Sequence, residues 1–283
     1  MKTLFALSLA GACTVVAAQT PANNPMPDGS RDLYLGLGVV SEPSWAGGRE
    51  QRVRALPLVQ LEWSSGVFIS GFTAGMHLST LPALEYGPLL AWHPKRDQDG
   101  AGGNLGGITY QSIPGRLGVR DGFDGGPDGL AGMDPIKARL QAGVFANYYV
   151  TPKLRLTNSV LYGAGKWRDG LLWSVGVQHT AADLTAHHRL TWSAGATLAN
   201  RSYNTSYSGV SASESDASGH RPYAAGSGVR DIYLGAGWNW ALSPSWMLAS
   251  RVRVTRLQGD ARHGPLVQRP TNVSVSTGLA YRF

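Results

Sequence analysis

The stretch TNVSVSTGLAYRF, residues 271–283, ends the chain and changes character at every step. Counted back from Phe283, alternate side chains are apolar, aromatic or threonine, and those between them are small or polar. Successive side chains of a strand point to opposite faces, so the pattern predicts a strand with one apolar and one polar face. A strand that crosses a membrane needs about 9–11 residues, with its apolar face on lipid and its polar face on the lumen. An end strand of a soluble sandwich would alternate in the same way.

The same alternation recurs upstream and predicts an all-β fold, an antiparallel transmembrane β-barrel of about twelve strands. A count of ten stays open, because 66–80 could form one bent element. Pro57 and Pro88 fit poorly in a closed sheet, since proline donates no ladder hydrogen bond. The predicted strands are 32–40, 52–63, 66–72, 75–80, 84–93, 139–150, 154–162, 169–180, 188–200, 230–242, 246–255 and 271–283.

The segments between the predicted strands differ in length on the two sides of the sheet. Those on the side of both chain ends are short, whereas 41–51, 94–135, 201–227 and 259–270, on the other side, are long. Short periplasmic turns and long extracellular loops are typical of outer-membrane barrels. The Gly/Asp-rich segment 94–135 is expected to be an exposed loop with a short strand near 107–112. A calcium site on Asp121, Asp124 and Asp128 stays open, although their spacing does not match an EF-hand.

The first residues predict export. One lysine at position 2 precedes an apolar run over 4–16, and small residues at 17–18 provide a cleavage site after Ala18. The run is too short to be a transmembrane helix. We therefore expect a signal peptide over 1–18, a periplasmic leader over 19–31 and a barrel over 32–283, in the outer membrane of a Gram-negative bacterium. If Cys13 leaves with the signal, the mature chain has no cysteine.

The composition agrees with a membrane barrel. Of the 283 residues, 15% are charged, against about 25% in soluble domains. The chain has 37 glycines and nine tryptophans, and such aromatic residues form the interfacial girdles of barrels. The net charge of +7 suits anionic partners, and we expect outer-membrane lipid and lipopolysaccharide. Nucleic acid is not expected, because the arginines lie inside predicted strands and no lysine-rich run occurs.

The polar faces of the predicted strands carry many charged side chains. They could line an open, anion-leaning pore, or they could pair with one another and fill a narrow interior, since an unpaired buried charge is costly. In the second case, Arg251 and Arg253 would pair with Asp231 or Glu62. The candidate lumen residues are Arg52, Arg54, Glu62, Arg139, Arg155, Asp231, Arg251 and Arg253, with Asp32, Glu85, Arg189 and Arg282 as further charged residues on these faces.

No pattern in the chain predicts catalysis or a cofactor. The seven histidines include no H-E-x-x-H spacing, and no G-x-S-x-G elbow occurs. Adjacent His187 and His188 would point to opposite faces of a strand. A surface adhesin is another hypothesis, because Tyr203, Tyr207 and Tyr223 lie in a predicted outer loop and could contact a partner.

Four segments resemble the MltA-interacting protein/OmpV family of outer-membrane proteins. They are YLGLGVVSEPSWAGG (34–48), DGLAGMDPIKARLQAGVF (128–145), SYSGVSASESDASGHRPYAAGSGVRDIYLGAG (206–237) and RLQGDARHGPLVQRPTNVSVSTGLAYRF (256–283). The loops depart from the family pattern at Ser44–Trp45 and at 262–265.

The resemblance implies a barrel without enzymatic activity. It also implies a scaffold that joins a lytic transglycosylase to a peptidoglycan synthase. By resemblance to the C-termini of other barrels, Tyr281 and Phe283 would be the signal for the barrel assembly machinery.

Overall fold

The computed structural model describes residues 29–101, 129–181 and 187–283. The predicted signal peptide, nearly all of the leader, the short strand near 107–112 and the three aspartates of the possible calcium loop lie outside these residues. The strands, in chain order, are β1 Arg31–Pro43, β2 Gln51–Trp63, β3 Val67–Ser70, β4 Thr73–Met76, β5 Leu84–His93, β6 Arg96–Asp97, β7 Gly100–Ala101, β8 Arg139–Thr151, β9 Leu154–Ala164, β10 Gly170–Thr180, β11 His188–Ala199, β12 Gly228–Ala241, β13 Trp246–Leu257 and β14 Thr271–Arg282.

Twelve of the strands in this part of the chain form one closed antiparallel barrel, and β6 and β7 form a separate small hairpin. Closure is made by β1 and β14, which pair from Tyr34 with Arg282 to Ser41 with Val275. Each of the other barrel strands pairs with its neighbours in chain order. The predicted antiparallel barrel and the count of twelve rather than ten are confirmed.

The hairpin of β3 and β4 is shorter than predicted. The expected strands 66–72 and 75–80 are reduced to four residues each, and the turn lies at 71–72 rather than 73–74. Gly71 causes this, because it adopts a left-handed φ of 57° that ends the extended chain. Its backbone N–H donates to the carbonyl of Val59 at 2.9 Å.

The two in-strand prolines lie beside this short hairpin. The pairing of β2 with β3 begins at Gln60, beyond Pro57, and the pairing of β4 with β5 ends at Leu89, next to Pro88. Proline is tolerated in sheets where the ladder is interrupted. The hairpin is therefore where the closed barrel accommodates residues that donate no backbone hydrogen bond.

The outer surface of the barrel is apolar. Leu37, Val53 and Leu234 point outward and are 70%, 72% and 66% exposed. Aromatic rings gather near the end that carries both chain ends, where Tyr281 lies between Trp246 and Phe283 at centroid distances of 5.1 and 4.8 Å. An apolar band edged by aromatic rings is the exterior of a transmembrane barrel.

The barrel has a turn end and a loop end. The turn end carries the N-terminus of β1, Phe283 and the turns 64–66, 77–83, 152–153 and 242–245; the loop end carries 44–50, 94–101, 129–138, 165–169, 200–227 and 258–270. Among the described residues, no helix is long and apolar enough to cross a membrane.

Three short helices occur at the loop end of the described chain: α1 Arg201–Ser208, α2 Ala212–Ser218 and α3 Gly259–His263. The sequence interpretation assigned loops here, so it was wrong for these segments. The start signals were present: the Asn200 side chain caps α1, and Ser211 with Glu214 forms a capping box on α2. These helices lack the apolar periodicity that usually reveals a helix.

The two faces of β13 give a direct test of the register. Val252 faces outward and is exposed, whereas Thr255 faces inward and is half-buried. A cation on the lipid face near the bilayer midplane costs about 2–4 kcal/mol, and the lumen tolerates it. We expect Val252→Arg to lower the free energy of unfolding by this amount in urea titrations in lipid vesicles. Thr255→Arg should have a much smaller effect, and equal losses would mean that the register is wrong.

Candidate functional site

Large side chains of β12 and β13 cross the interior and pack against two glycines, Gly176 of β10 and Gly195 of β11, which we call the glycine wall. The Tyr233 hydroxyl lies so close to the backbone of Gly176 and Gly195 that a Cβ at either position would approach within 2.6 and 2.7 Å of it. The Arg253 guanidinium carbon lies 3.6 Å from the centroid of the Tyr233 ring. Arg251 is on the same face of β13, opposite Ser276 of β14. Glycine at these positions thus leaves room for the tyrosine and its cation.

A buried polar network fills the interior near the turn end. The Glu85 carboxylate accepts hydrogen bonds from the Tyr149 hydroxyl at 2.6 Å and from the Asn147 amide at 3.0 Å. Arg155 Nη1 lies 3.3 Å from Glu85 Oε2, and Arg155 Nε donates to Gln178 at 3.0 Å. Both charged side chains of this pair are almost fully buried. Because each is hydrogen-bonded, the desolvation of two charges is offset.

Charged side chains near the loop end also have partners. Arg52 Nη1 donates to the carbonyl of Asp99 at 2.7 Å, and Arg52 Nη2 lies 3.4 Å from Glu50. Arg54 lies 3.8 Å from Glu42. Arg139 donates to the carbonyl of Lys166 at 3.4 Å.

Asp231 and Glu62 have other partners than those predicted for them. Asp231 pairs with Arg230, the residue before it, and Glu62 accepts a hydrogen bond from Gln60 at 3.0 Å. The predicted pairing with Arg251 and Arg253 is therefore corrected. Asp231 lies opposite Leu257 of β13, four residues along that strand from Arg253. A register shift between β11 and β12 at Thr197 and Leu198 brings Arg230 beside it. It buries Arg230 and Asp231 together, which strict alternation cannot predict.

An apolar patch covers the interior wall at the barrel seam. Val40, Leu56, Leu58 and Ala280 form a buried cluster on the inner faces of β1, β2 and β14. Tyr34, Met247 and Ala249 pack against it. The prediction of a polar lumen face missed this patch, although Leu56 and Leu58 already stood on the arginine-bearing face of the predicted strand.

The loop end is covered by a folded cap, which we define as 44–50, 94–101, 129–138, 200–227 and 258–270. Its apolar centre is Trp45, Leu130, Met133, Val210 and Leu266, and the Trp45 indole donates to the carbonyl of Leu266 at 3.0 Å. A polar cluster ties the cap to β5. The His93 ring lies 3.4 Å from the Tyr203 hydroxyl and 3.2 Å from that of Tyr207, and buried Arg96 donates to the carbonyl of Tyr207 at 3.2 Å.

The three tyrosines suggested as adhesin contacts occupy different environments. Tyr203 is fully buried and stacks on Tyr207 with a centroid distance of 4.5 Å, so it is unavailable to a partner. Tyr223 is half-buried and donates from its hydroxyl to the carbonyl of Asp260 at 2.9 Å. These side chains hold the cap together, which corrects the sequence interpretation of Tyr203 as a contact residue.

Glu214 of α2 anchors the cap to the barrel rim. Its carboxylate binds the Lys166 ammonium, accepts from the Ser211 hydroxyl at 2.8 Å and accepts from the backbone N–H of Asp134 at 3.1 Å. Burial alone would raise the pKa of this carboxyl, but the hydrogen bonds from Lys166 and Ser211 lower the pKa of Glu214 to about 2. The anchor is therefore charged at neutral pH.

The proposed assembly residues lie at the outer rim of the turn end. The terminal Phe283 is 68% exposed, and its backbone N–H donates to the carbonyl of Leu33 at 2.9 Å. Tyr281 faces outward beside it. Within the described residues, no three His, Cys, Asp or Glu side chains are grouped so that they could hold a metal ion.

The Arg155 network predicts a large loss of stability when one partner is removed. We expect Arg155→Met to cost about 3–5 kcal/mol, because the Glu85 carboxylate stays buried without its cation. Adding Glu85→Gln should restore most of the loss, because the amide oxygen still accepts from Tyr149. Urea unfolding of both proteins, followed by tryptophan fluorescence, measures this. Equal stability of Arg155→Met and the unsubstituted protein would contradict the network.

The depressed pKa of Glu214 predicts acid sensitivity of the cap. A carboxyl whose pKa is lowered on folding stabilises the folded state above its ordinary pKa of about 4.3. That stability is lost as the pH falls through about 4 toward 2. Relative to an unfolded reference peptide digested in parallel at each pH, pepsin should therefore cut 200–227 several-fold faster at pH 2 than at pH 4.5, while the barrel stays intact. Glu214→Gln should be cut readily at both values, and an unchanged pH profile in that variant would refute the anchor.

The family model of MltA-interacting protein MipA matches residues 35–283. No curated relative matches the chain.

Three solved structures match this chain weakly. The NanC porin has 9% identity and a TM-score of 0.39, over 90% of this chain and 100% of that one. The outer-membrane channel DcaP of Acinetobacter baumannii has 8% identity and a TM-score of 0.41, over 90% and 96%. A bacterial polysaccharide outer membrane secretin has 10% identity and a TM-score of 0.44, over 91% and 100%. The strand pairing of the protein itself establishes the closed barrel, and the family match, which covers all of it beyond the first residues of β1, shows that the chain belongs to the MltA-interacting protein MipA family.

Proposed function

We propose that this protein is a non-enzymatic scaffold of the outer membrane that holds peptidoglycan-remodelling enzymes near the barrel. The observation that carries the proposal is the family match over 35–283, because the family is named for interaction with MltA. The partner is then a lytic transglycosylase, and a peptidoglycan synthase is the second partner implied by the family resemblance. Cleavage after Ala18 and assembly through Tyr281 and Phe283 belong to the same proposal.

Two features of the barrel support a role through its surface. Its interior holds a buried ion pair, and its loop end carries a cap with an apolar centre of its own. A barrel whose interior and loop end are occupied by its own side chains is suited to bind other proteins at its rims rather than to conduct solutes.

The turn end offers the surface for such partners. Enzymes that act on peptidoglycan work in the periplasm, so they meet the leader and the short turns. Leu78 and Leu81 are exposed in the turn 77–83, and Leu242 is exposed in the turn after β12. Lys153 is exposed between β8 and β9. Apolar side chains beside a cation provide a contact surface for a protein partner.

Crosslinking in intact cells tests the scaffold. We expect a lytic transglycosylase to be recovered with the protein, and the double substitution Leu81→Asn and Lys153→Glu to lower its recovery at least several-fold. The matched control is Asp216→Lys, which also reverses a charge but lies exposed in the cap. Recovery reduced only by the control would favour surface recognition by the cap. Recovery of no peptidoglycan enzyme would refute the scaffold.

An anion-leaning pore is the second candidate function. The observation in its favour is that Arg251 and Arg253 both lie on the inner face of β13, where they would attract anions to any open path. The covered loop end and the bulky side chains over the glycine wall favour the scaffold instead.

A further inference from the structure

A basic recess lies at the rim of the loop end, outside the interior network. It is an open depression of about 500 Å³ lined by Asp134, Pro135, Lys137, Arg139, Lys166 and Arg168. These residues come from the segment before β8, the start of β8 and the turn between β9 and β10. Four of them are cations, and one is an acid.

Two of the acids near the recess, Asp134 and Glu214, are engaged by one of these cations, and a third, Asp169, follows Arg168 and accepts a hydrogen bond from Ser202. Lys166 lies 3.2 Å from Asp134 and also binds Glu214. Two carboxylates thus share the Lys166 ammonium. Among the described residues, the other three cations of the recess make no ion pair with either of them. The recess therefore carries a positive excess that suits a doubly charged anion.

Arg139 and Arg168 are both held in defined positions at the recess. Arg139 Nη2 donates to the carbonyl of Lys166 at 3.4 Å, which ties the start of β8 to the turn between β9 and β10. Arg168 has a φ of 63° and is the only non-glycine residue with positive φ in the described ranges. A left-handed backbone is unfavourable for a residue with a Cβ, and such outliers cluster where a ligand is held.

The surroundings indicate which anion the recess meets. Trp167, between Lys166 and Arg168 in the chain, is 64% exposed and lines a neighbouring depression with Glu214 and Tyr223 of the cap. Leu140, directly after Arg139, is exposed on the outer face of the barrel. Because successive strand residues face opposite sides, the Arg139 side chain lies on the inner face, and the recess begins at the level where the outer apolar band ends. Exposed tryptophan marks the level of the headgroups, and cations at that level bind phosphates of lipids. Arginine is well suited to phosphate because its guanidinium donates two parallel hydrogen bonds.

We propose that this recess binds a phosphate group of a glycolipid in the outer leaflet, with Lys137, Arg139 and Arg168 as its ligands. The proposal uses the outward orientation of the loop end, which belongs to the proposed function, and does not use the scaffold role. Free phosphate shares the same chemistry. The acyl chains of a glycolipid would add contact with the apolar band beside Leu140.

Arg168→Gly is a decisive variant because it removes a cation and relieves the backbone. Glycine adopts a φ of 63° without steric cost, so the variant should fold at least as well as the unsubstituted protein. Lys137→Gln removes a second, exposed cation of the recess. Arg262→Gln is the matched control, since Arg262 is an exposed cation of α3 outside the recess.

Native mass spectrometry of the purified full-length protein in a non-ionic detergent measures the binding. The probes are bis-phosphorylated lipid A, its dephosphorylated form and inorganic phosphate. We expect lipid A to bind, and Arg168→Gly and Lys137→Gln each to weaken it by about tenfold, as for the loss of one charge-assisted hydrogen bond. Arg262→Gln should bind as the unsubstituted protein does, and dephosphorylated lipid A should bind weakly to all of them.

The three probes and the control variant distinguish the outcomes that would overturn the proposal. Equal binding of lipid A by the recess variants and the control would overturn the proposal, provided that all run as folded barrels in unheated gels. Loss of inorganic phosphate binding in these variants, with lipid A binding unchanged, would overturn the assignment to a lipid. Failure of the scaffold in cells would leave these results unaffected, because the assay contains no partner protein.

Discussion

Closure of the sheet between β1 and β14 is the constraint on which the structure depends. Hydrocarbon offers no partner for a backbone N–H or carbonyl, so strands can span a membrane only if every edge is paired. The first and last strands must therefore meet, and they do so along Tyr34–Ser41 and Val275–Arg282. Gly36, Gly38 and Gly278 lie at this seam, where a Cβ at Gly36 or Gly38 would approach a carbonyl oxygen of β14 within 2.2 Å. The outward alternation of the terminal strand follows from the same constraint.

Closure creates a second requirement, because the interior has to be filled or hydrated. The barrel fills it with different material at each level: the Glu85 and Arg155 network near the turn end, Tyr233 and Arg253 over the glycine wall, and the cap at the loop end. Buried charges are tolerated because they meet hydrogen-bonding partners. A filled interior directs attention to the rims, where the proposed enzyme contacts and the basic recess lie on opposite ends.

The outward half of this architecture was predictable from sequence, and the inward half was less so. A lipid-facing position has to be apolar at every second residue, which is why 271–283 and its counterparts identified the strands. Interior positions obey no single rule, since Leu56 and Leu58 share a strand face with Arg52, Arg54 and Glu62. A register shift between β11 and β12 buries Arg230, which strict alternation would place on the outer face. The left-handed Gly71 shortens the hairpin of β3 and β4. Helices α1 and α2 were indicated only by their N-capping residues Asn200 and Ser211, and α3 has no side-chain N-cap. Residues that fold onto a rim need no apolar stripe of regular period.

Planar-bilayer recording with the purified full-length protein tests the central claim, that the barrel is closed and occupied by its own side chains and cap. We predict no steady conductance at neutral pH, because Tyr233, Arg253 and the cap occupy successive levels of the barrel. Steady conductance that favours anions, and that loses this preference when Arg251 and Arg253 are both replaced by glutamine, would contradict the account and identify the protein as a pore.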